Sequence, residues 1–464
     1  MHVRELQWIE PVTAMRRLAH RPHLTFLDSA ARQGVLGRYS YLTCDPFGIY
    51  MIVDGRASWN GDALKGDPWD ALRAILAKYP QEHRPDLPPF QGGAAGFFAY
   101  DLNTTLERLP LPAISGQRLP QSILHFYDLV VCFDHRLGRC WIVSSGWPER
   151  DPGRRTERAG RRAHEFAALL ARRMSPPNNS TATVGSWHSN FSREGYIAAV
   201  QRVIDLILAG DVFQANIAQR FSARLSPSFD PLAFYCRLRS VNPAPFSALL
   251  RYGTLTIASS SPERFLKLDG QTVETRPIKG TIARSADATE DRCRAEALLA
   301  SEKDRAENTM IVDLLRNDLS RVCTPDSVDV PALCNLESYA SVHHLVSIVV
   351  GQLAEGQDAI SALRACFPGG SITGAPKIRS MEIIAEIERV ARQVYCGSIG
   401  FIGFNRCMDT NIAIRTVTMD DGQAVFHAGS GITAMSDPSA EYDETLAKAE
   451  RIFDAFRPET YVAT

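Results

Sequence analysis

The stretch LTIASSSPERFLKLDGQTVETRPIKGT, residues 255–281, predicts a β-hairpin that turns at Asp269-Gly270. The runs on either side of the turn are rich in apolar and β-branched residues, and Asp-Gly is a strong signal for a two-residue turn between antiparallel strands. We therefore expect an antiparallel sheet in this part of the chain.

The same hairpin predicts where two reactive side chains lie. A register that pairs Leu268 with Gln271 places Glu263 opposite Arg276. The chain then reaches Lys279 just beyond that end of the sheet. Since Lys279 is the only cation of the run PIKGT, it is a candidate nucleophile. The alternatives are an ordinary Glu-Arg cross-strand pair and a surface lysine at a strand end.

The composition is typical of a soluble protein that acts on a small molecule. Of the 464 residues, 45% are hydrophobic, which is enough for a large core. The 51 Lys and Arg residues nearly balance the 52 Asp and Glu residues, so no net field attracts nucleic acid or a membrane. The ten cysteines show no zinc-ligand spacing, and neither a signal peptide nor a membrane span is evident. We expect free thiols and a cytoplasmic location.

A change in composition divides the sequence near residue 180. Residues 149–173 are rich in Arg, Ala and Glu and predict an exposed helix, and residues 175–185 are a polar stretch typical of a linker. We expect an N-terminal region over residues 1–180, including the linker, and a catalytic region over residues 186–458.

A predicted strand over residues 212–221 has two different faces. One face carries Phe213 and other apolar residues, and the other carries Gln214, Asn216 and Arg220. The polar face either lines a pocket or faces solvent, and the pattern does not decide between them.

Carboxylates gather on two predicted helices. Glu307 lies at the edge of the apolar stripe of a helix over residues 304–318. Glu441, Glu444 and Lys448 fall at i, i+3 and i+7, on one face of a second helix. Carboxylates from two helices suit Mg²⁺ better than a transition metal, although each set alone is also typical of a solvated, salt-bridged face.

Two glycine-rich segments, residues 368–377 and 427–433, are candidate anion sites. The first lacks the Gly-Lys-Ser/Thr ending of a phosphate loop, so nucleotide binding is not expected. Pro376 suits the first turn of a helix whose free N–H groups favour a carboxylate. Arg415, in a predicted strand over residues 411–417, is a candidate carboxylate clamp. These residues predict a dicarboxylate pocket with magnesium.

Residues 190–455 closely resemble the family of chorismate-utilising enzymes. The resemblance rests on motifs in a shared order: GDVFQAN at 210–216, SPERF at 261–265, KDRAEN at 303–308, HLVS at 344–347, GGSITGAPK at 369–377 and EYDET at 441–445. Residues 1–145 resemble the family's N-terminal region more loosely. The resemblance implies an α+β fold like that of anthranilate synthase component I, with two face-packed antiparallel β-sheets flanked by helices and a site in the cleft between them.

The resemblance also implies a role for each matching residue. It assigns Lys279 as the nucleophile, Glu263 as the general acid and Glu307, Glu441 and Glu444 as Mg²⁺ ligands. The residues expected to bind or line the substrate are Gln214, His344, Ser371, Thr373, Tyr395, Arg415, Gly429, Gly431 and Lys448.

The residue at position 279 separates the family's activities. Anthranilate synthases carry alanine in place of this lysine and aminate chorismate at C2, and the water-adding members carry a lysine where this chain has Gln214. The resemblance therefore implies amination at C4, through a transient lysine adduct at C2. It also implies ammonia from a separate glutamine amidotransferase subunit, which would form a heterodimer with this chain.

A second ligand is suggested by a partial match to the tryptophan pocket of relatives. The matching residues are Ser29, Arg38, Tyr39, Pro245 and Phe246. They leave open a tryptophan-binding regulatory protein that has lost catalysis. An anthranilate synthase component I is the alternative within the family.

Overall fold

The computed structural model describes residues 1–32, 36–112, 119–172, 184–339 and 342–457. Within these ranges the chain forms two antiparallel sheets of twelve strands each. The α+β class and the two large sheets predicted above are confirmed.

The strands of the first sheet come from both halves of the sequence. In spatial order they are β1 (His2–Leu6), β10 (Arg139–Ser144), β9 (Leu129–Asp134), β3 (Tyr39–Thr43), β2 (Leu24–Asp28), β13 (Phe246–Tyr252), β14 (Leu255–Ser261), β23 (Thr416–Asp420), β24 (Gln423–Ile432), β12 (Gln214–Arg224) and β11 (His188–Ser189), with β20 (Gly374–Ala375) beside β12.

The second sheet also combines strands from both halves of the sequence. In spatial order its strands are β17 (Ile278–Ala283), β19 (Val342–Gln352), β16 (Thr272–Arg276), β15 (Arg264–Asp269), β22 (Met408–Asn411), β21 (Ser398–Gly403), β7 (Gly93–Phe98), β8 (Ser122–Tyr127), β4 (Gly48–Val53), β5 (Arg56–Trp59) and β6 (Asp62–Ala63), with β18 (Asp329–Ser338) beside β19.

Helices pack on the outer faces of the sheets. They are α1 (Pro11–Leu18), α2 (Pro68–Leu76), α3 (Pro152–Ala171), α4 (Arg193–Leu208), α5 (Pro231–Val241), α6 (Ala288–Ala300), α7 (Glu302–Ser320), α8 (Ala359–Cys366), α9 (Lys377–Glu388) and α10 (Pro438–Phe456), with 3₁₀ turns at Tyr100–Thr105 and Gly370–Ile372. In the described ranges, none of these helices has both the length and the apolar character needed to cross a bilayer.

Side chains from the two sheets meet face to face. Tyr41 of β3 contacts Phe401 of β21 with ring centroids 5.5 Å apart. Phe97 of β7 packs in one buried cluster with Leu250 of β13 and Ile257 of β14. The apolar contacts between the sheets hold them as two layers, since buried apolar area is the main favourable contribution to folding.

Both sheets contain strands from either side of residue 180. In the first sheet β2 pairs with β13, and in the second β7 pairs with β21. The predicted N-terminal and catalytic regions therefore differ in sequence but share both sheets. The predicted helix before the boundary is α3, while most of the predicted linker lies outside the described residues.

The predicted hairpin of β15 and β16 is present, but its predicted register is wrong. The two turn residues are Gly270 and Gln271, one position later than predicted, so Asp269 pairs with Thr272. A β-bulge in β15 then shifts the pairing so that Arg264 lies opposite Arg276, and a turn signal cannot reveal such a shift. Glu263 lies just before β15, outside this pair.

A second correction concerns the predicted strand over residues 411–417. β22 ends at Asn411 and β23 begins at Thr416, because residues 412–415 cross from the second sheet to the first. Arg415 ends this crossover with a left-handed backbone, φ +50°. A crossing segment cannot keep the ladder of one sheet, so the apolar pattern was not that of a continuous strand.

Candidate active site

Glu263 is a buried carboxyl between β14 and β15, 5% exposed. Its Oε1 accepts a hydrogen bond from Ser371 Oγ at 2.6 Å. Burial raises the pKa of Glu263 to about 7, while the Ser371 hydrogen bond and the Lys279 cation act in the opposite direction. Near neutral pH a large fraction of this carboxyl is therefore protonated, as a general acid requires.

Lys279 lies in β17 and is partly buried. Within the described residues its amine has no ion-pair partner within 4.0 Å. Burial lowers the pKa of Lys279, and the nearby Glu307 and Glu263 carboxylates oppose this by favouring the charged form. A lysine with a lowered pKa has a larger neutral fraction, and the neutral amine is the nucleophile.

Three glutamates lie near this lysine on α7 and α10. Burial raises the pKa of Glu307, and the charge of Glu441 adds to the increase. Glu441 is buried and accepts hydrogen bonds from the Ser430 and Ser436 hydroxyls. Glu444 is half exposed and pairs with Lys448 at 2.7 Å.

The donor set of these glutamates fits Mg²⁺, although it is not assembled around one point. Hard carboxylate oxygens are the ligands that Mg²⁺ prefers. Burial is the main cause of the raised pKa of Glu307, and the Asp304 and Glu441 charges add to it, so a bound cation would favour the charged form. In the described part of the chain, the oxygens of Glu307, Glu441 and Glu444 do not all lie within 4.8 Å of one another. Glu444 would have to turn from Lys448 to ligate an ion.

Strands β12 and β24 form a polar floor beside these groups. Asn216 pairs with Gly431 across the two strands, and Gln214 is fully buried with its side-chain oxygen unpartnered. A Cβ at Gly431 would lie 2.2 Å from Gln214 Nε2, so a larger residue there would displace the Gln214 side chain. The polar face of β12 therefore lines the interior rather than facing solvent, which settles the alternative left open by the sequence. Phe213, predicted on the apolar face, is instead 71% exposed.

Lys448 and Arg415 are the two cations expected to contact substrate carboxylates, and Lys448 lies against this floor. Lys448 Nζ donates a hydrogen bond to the carbonyl of Gly429 at 2.9 Å. Burial lowers the pKa of Arg415, which has no acidic partner within 4.0 Å in the described ranges. Its guanidinium makes a long contact of 3.5 Å with Asn242 Oδ1. An unpaired guanidinium is suited to a carboxylate ligand.

Two further predicted site residues, His344 and Tyr395, are held in their neutral forms. His344 Nδ1 lies 2.8 Å from Thr281 Oγ1, and burial together with the Arg415 charge lowers the pKa of His344 to about 4. Burial keeps the pKa of Tyr395 well above its ordinary range, so its phenol stays protonated. Thr373 is buried, and its hydroxyl donates a hydrogen bond to the carbonyl of Gly369 at 3.0 Å. This bond stabilises the loop that carries Thr373.

Two site residues had no individual role predicted from the sequence: Asn216, which was placed on the polar face of its strand, and His427, which begins the second glycine-rich segment. The ring of His427 stacks on Tyr395 with centroids 4.9 Å apart, and its Nε2 is buried without a partner. Asn216 Nδ2 donates a hydrogen bond to the carbonyl of Ser371 at 2.9 Å. It thereby positions Ser371, whose hydroxyl donates to Glu263. His427 lies two residues before Gly429, on the same face of β24, which is the signal that would have found it.

A separate cavity of about 460 Å³ lies between the sheets. All five residues of the predicted tryptophan pocket line it: Ser29, Arg38, Tyr39, Pro245 and Phe246. We call this space the inter-sheet cavity. Ser29 Oγ contacts the carbonyls of Tyr39 and Pro245, which joins the two segments of the wall.

The match to a family model fits this fold and site. The model for chorismate binding enzymes matches residues 40–454, and the chain belongs to this family of enzymes. The cleft residues around Lys279 and Glu263 all lie within the matched range.

Two curated relatives cover almost the whole chain. Aminodeoxychorismate synthase component 1 of Escherichia coli (strain K12) is 41% identical over 444 residues, which is 94% of each chain. Anthranilate synthase component 1 of Thermus thermophilus is 38% identical over 447 residues, covering 96% of this chain and 95% of the relative.

A solved structure supports the same fold. Anthranilate synthase component I from Streptococcus pneumoniae TIGR4 superposes with a TM-score of 0.79 at 31% identity, covering 90% of this chain and 93% of that one.

Proposed function

We propose that this enzyme is the large subunit of an aminodeoxychorismate synthase and converts chorismate and ammonia to 4-amino-4-deoxychorismate, the precursor of 4-aminobenzoate in folate synthesis. The observation that carries the proposal is the partly buried Lys279 amine, which has a lowered pKa and lies close enough to the buried Glu263 carboxyl to perturb its pKa. The E. coli relative of that name supports the assignment at 41% identity.

Lys279 and Glu263 have separate roles in the first half of the reaction, as nucleophile and as general acid. Neutral Lys279 adds to C2 of chorismate, and the two conjugated ring double bonds shift as the C4–O bond breaks. Hydroxide is a poor leaving group, so protonated Glu263 gives its proton to the C4 oxygen and water departs. The lysine nitrogen, now bonded to C2, loses its extra proton to the Glu263 carboxylate.

The second half reverses the displacement with a different nucleophile. Ammonia adds at C4, the two double bonds shift back and the C2–N bond to Lys279 breaks. A proton from Glu263 returns to the departing lysine nitrogen, and the added ammonium loses a proton to the carboxylate. The amino group is thereby left at C4, and the free enzyme is restored.

The remaining residues hold the substrate in place. Arg415 and Lys448, with Tyr395, would bind its carboxylates, and the glycines of β24 let the ring approach the sheet. Mg²⁺, held by Glu307 and Glu444 with Glu441 nearby, would neutralise the ring carboxylate and polarise the ring. Turning Glu444 toward the ion would also free Lys448 for the substrate.

Ammonia would come from a separate glutamine amidotransferase subunit. The chain covers 94% of an E. coli relative that is named as a component 1, which supports a second component. Free ammonium should replace this subunit in vitro, because ammonia is the only group that it supplies to the reaction.

The decisive experiment identifies the product of the reaction. Purified protein is incubated with chorismate, ammonium and Mg²⁺, and the products are resolved by liquid chromatography and mass spectrometry. The wild type should form 4-amino-4-deoxychorismate, and Lys279→Ala should lower this product at least about 10³-fold or redirect nitrogen to C2. Anthranilate as the main wild-type product would instead identify an anthranilate synthase component I.

Tryptophan binding at the inter-sheet cavity is a second proposal, supported by the five predicted residues that line it. Calorimetric titration with L-tryptophan should give heat for the wild type, and an aromatic D-amino acid serves as control. Heat without turnover of chorismate would favour a regulatory protein over an enzyme.

A further inference from the structure

Two neighbouring strands of the second sheet bring an acid and a thiol together. Leu268 of β15 pairs with Met408 of β22, so Asp269 and Cys407 lie side by side at the adjoining strand ends. Asp269 is the first residue of the hairpin turn, and its side chain is 57% exposed. Cys407 is buried, 2% exposed.

A histidine from the segment after α2 completes the cluster. His83 Nδ1 lies 3.6 Å from Cys407 Sγ. Candidate ligand atoms of His83, Asp269 and Cys407 all lie within 4.8 Å of one another. No other group of three or more His, Cys, Asp or Glu residues in the described ranges meets this criterion. No sequence motif indicates this cluster, because neighbouring members are more than 130 positions apart along the chain.

We propose that His83, Asp269 and Cys407 form a binding site for a Zn²⁺ ion, with water as the fourth ligand. Imidazole nitrogen, thiolate sulfur and carboxylate oxygen are the three protein donors that zinc uses. In a tetrahedral site with Zn–N of about 2.0 Å and Zn–S of about 2.3 Å, the N and S atoms are about 3.5 Å apart. The 3.6 Å between His83 and Cys407 matches this edge.

Asn405 orients the histidine for this role. Its Nδ2 lies 3.0 Å from His83 Nδ1 and donates to the carbonyl of Pro89 at 2.9 Å. A hydrogen bond accepted at Nδ1 requires that nitrogen to be unprotonated, which is the form that ligates a metal. An ion would replace the Asn405 contact and leave the bond to Pro89 in place.

The charges around the cluster permit a divalent ion. The Asp269 carboxylate has a long contact, 3.8 Å, with Lys267 Nζ and is otherwise open to solvent. Zinc binds the thiolate form of cysteine, so the ion must displace the Cys407 proton when it binds.

This site is separate from the candidate active site. Glu263 precedes one end of β15 and Asp269 ends the other, a separation of about 20 Å along an extended strand. The proposed ion would tie three segments together at the rim of the inter-sheet cavity, since Asp269 also lines that cavity.

Cobalt(II) is the probe that tests the site. Full-length protein is stripped with a chelator and titrated with Co²⁺ in excess Mg²⁺, which occupies the glutamates near Lys279. One Co²⁺ per chain should bind with the thiolate-to-cobalt charge-transfer absorption of tetrahedral Cys ligation, and Zn²⁺ should displace it. Absence of this absorption in the wild type would overturn the proposal.

Variants assign the ligands. Cys407→Ser should abolish the charge-transfer band and weaken binding at least about tenfold, and His83→Gln should weaken it about tenfold with the band retained but shifted. Cys293→Ser removes the exposed cysteine and is the matched control, which should bind as the wild type does. If circular dichroism shows that Cys407→Ser is misfolded, the His83→Gln variant provides the test of the site. A band that survives Cys407→Ser, or binding unaffected by His83→Gln, would contradict the site.

Discussion

The inter-sheet cavity and the region around Lys279 both contain charged side chains, and they differ in how these charges are paired. Around the cavity, Arg264 pairs with Glu274 at 2.7 Å and Asp409 at 3.0 Å, and Arg38 pairs with Asp134 at 2.8 Å. Lys279, by contrast, has no ion pair within 4.0 Å among the described residues.

This difference has a physical consequence for each region. Paired charges keep ordinary protonation states and fix the walls of a binding space. A buried charge without a partner shifts its pKa toward the neutral form, which is what a nucleophilic amine or a proton-donating carboxyl requires. Apart from the exposed Glu444–Lys448 pair, the pairing pattern therefore distinguishes the region around Lys279, which is suited to proton transfer, from the cavity, which is suited to binding.

The largest expected effect is on the rate of amination in Glu263→Gln. Glutamine keeps the shape and can accept the Ser371 hydrogen bond, but it cannot donate a proton to the C4 oxygen. We expect kcat to fall about 10²- to 10⁴-fold, measured by product formation with ammonium. Ser371→Ala is the matched control and should lose far less, since it leaves the acid in place. A Glu263→Gln enzyme within tenfold of wild type would remove Glu263 from the mechanism.

Removing one cation from each region should have opposite effects on stability. Arg264→Met leaves the Glu274 and Asp409 carboxylates without their partner, and we expect the free energy of unfolding to fall by about 3–5 kcal/mol. Lys279→Met removes an amine that has no partner and should leave stability unchanged or increase it by about 1 kcal/mol. Urea denaturation measures both. Equal losses in the two variants would show that the charges of the two regions do not differ.

The next effect is a dependence of stability on pH that Glu263→Gln should remove. The carboxyl has a pKa of about 7 when folded and an ordinary value of 4.5, so the folded protein binds the proton more tightly. Its contribution is most favourable below pH 4.5 and is lost as pH rises through about 7. We expect Glu263→Gln to be more stable than wild type by about 2–3 kcal/mol at pH 8 and nearly equal at pH 4.5. A difference that does not change with pH would contradict the burial effect on Glu263.

The smallest effect should follow from Arg38→Ala at the cavity rim. The Arg38 side chain is 42% exposed, and solvent screens its pair with Asp134, so the loss of stability should be below about 1 kcal/mol. Amination with ammonium should stay within about twofold of wild type, because Arg38 is not among the residues around Lys279. If the cavity binds tryptophan, calorimetry should show weaker binding in this variant. A large loss of amination activity in Arg38→Ala would show that the inter-sheet cavity and the region around Lys279 are coupled.

Local sequence signals predicted the elements of this fold better than their pairing. A hairpin in this stretch and the helix carrying Glu307 were predicted correctly, because turn chemistry and helical periodicity are local properties. The register of the hairpin was wrong because the two turn residues are Gly270 and Gln271, one position later than predicted, and because a β-bulge in β15 depends on the neighbouring strands. The crossover that ends at Arg415 was missed for a similar reason, since its apolar pattern is shared by a strand.

The site shows the same limit. Lys279 and Glu263 could be placed near each other from one hairpin and its extension, whereas the pairing of Glu444 with Lys448 and the serine contacts of Glu441 depend on packing between elements. The cluster of His83, Asp269 and Cys407 could not be predicted from the sequence, because these distant residues come together only in the folded protein.

The interleaving of strands affects how the chain is made. Phe98 of β7 pairs with Ser398 of β21, 300 positions later. At a synthesis rate of roughly 5–20 residues per second, β7 waits about 15–60 s on the ribosome before that partner exists. All six residues of β7 are buried in the finished protein, so one edge of an apolar strand stays open during this interval. Nascent chains of this enzyme should therefore depend on chaperones until translation is nearly complete.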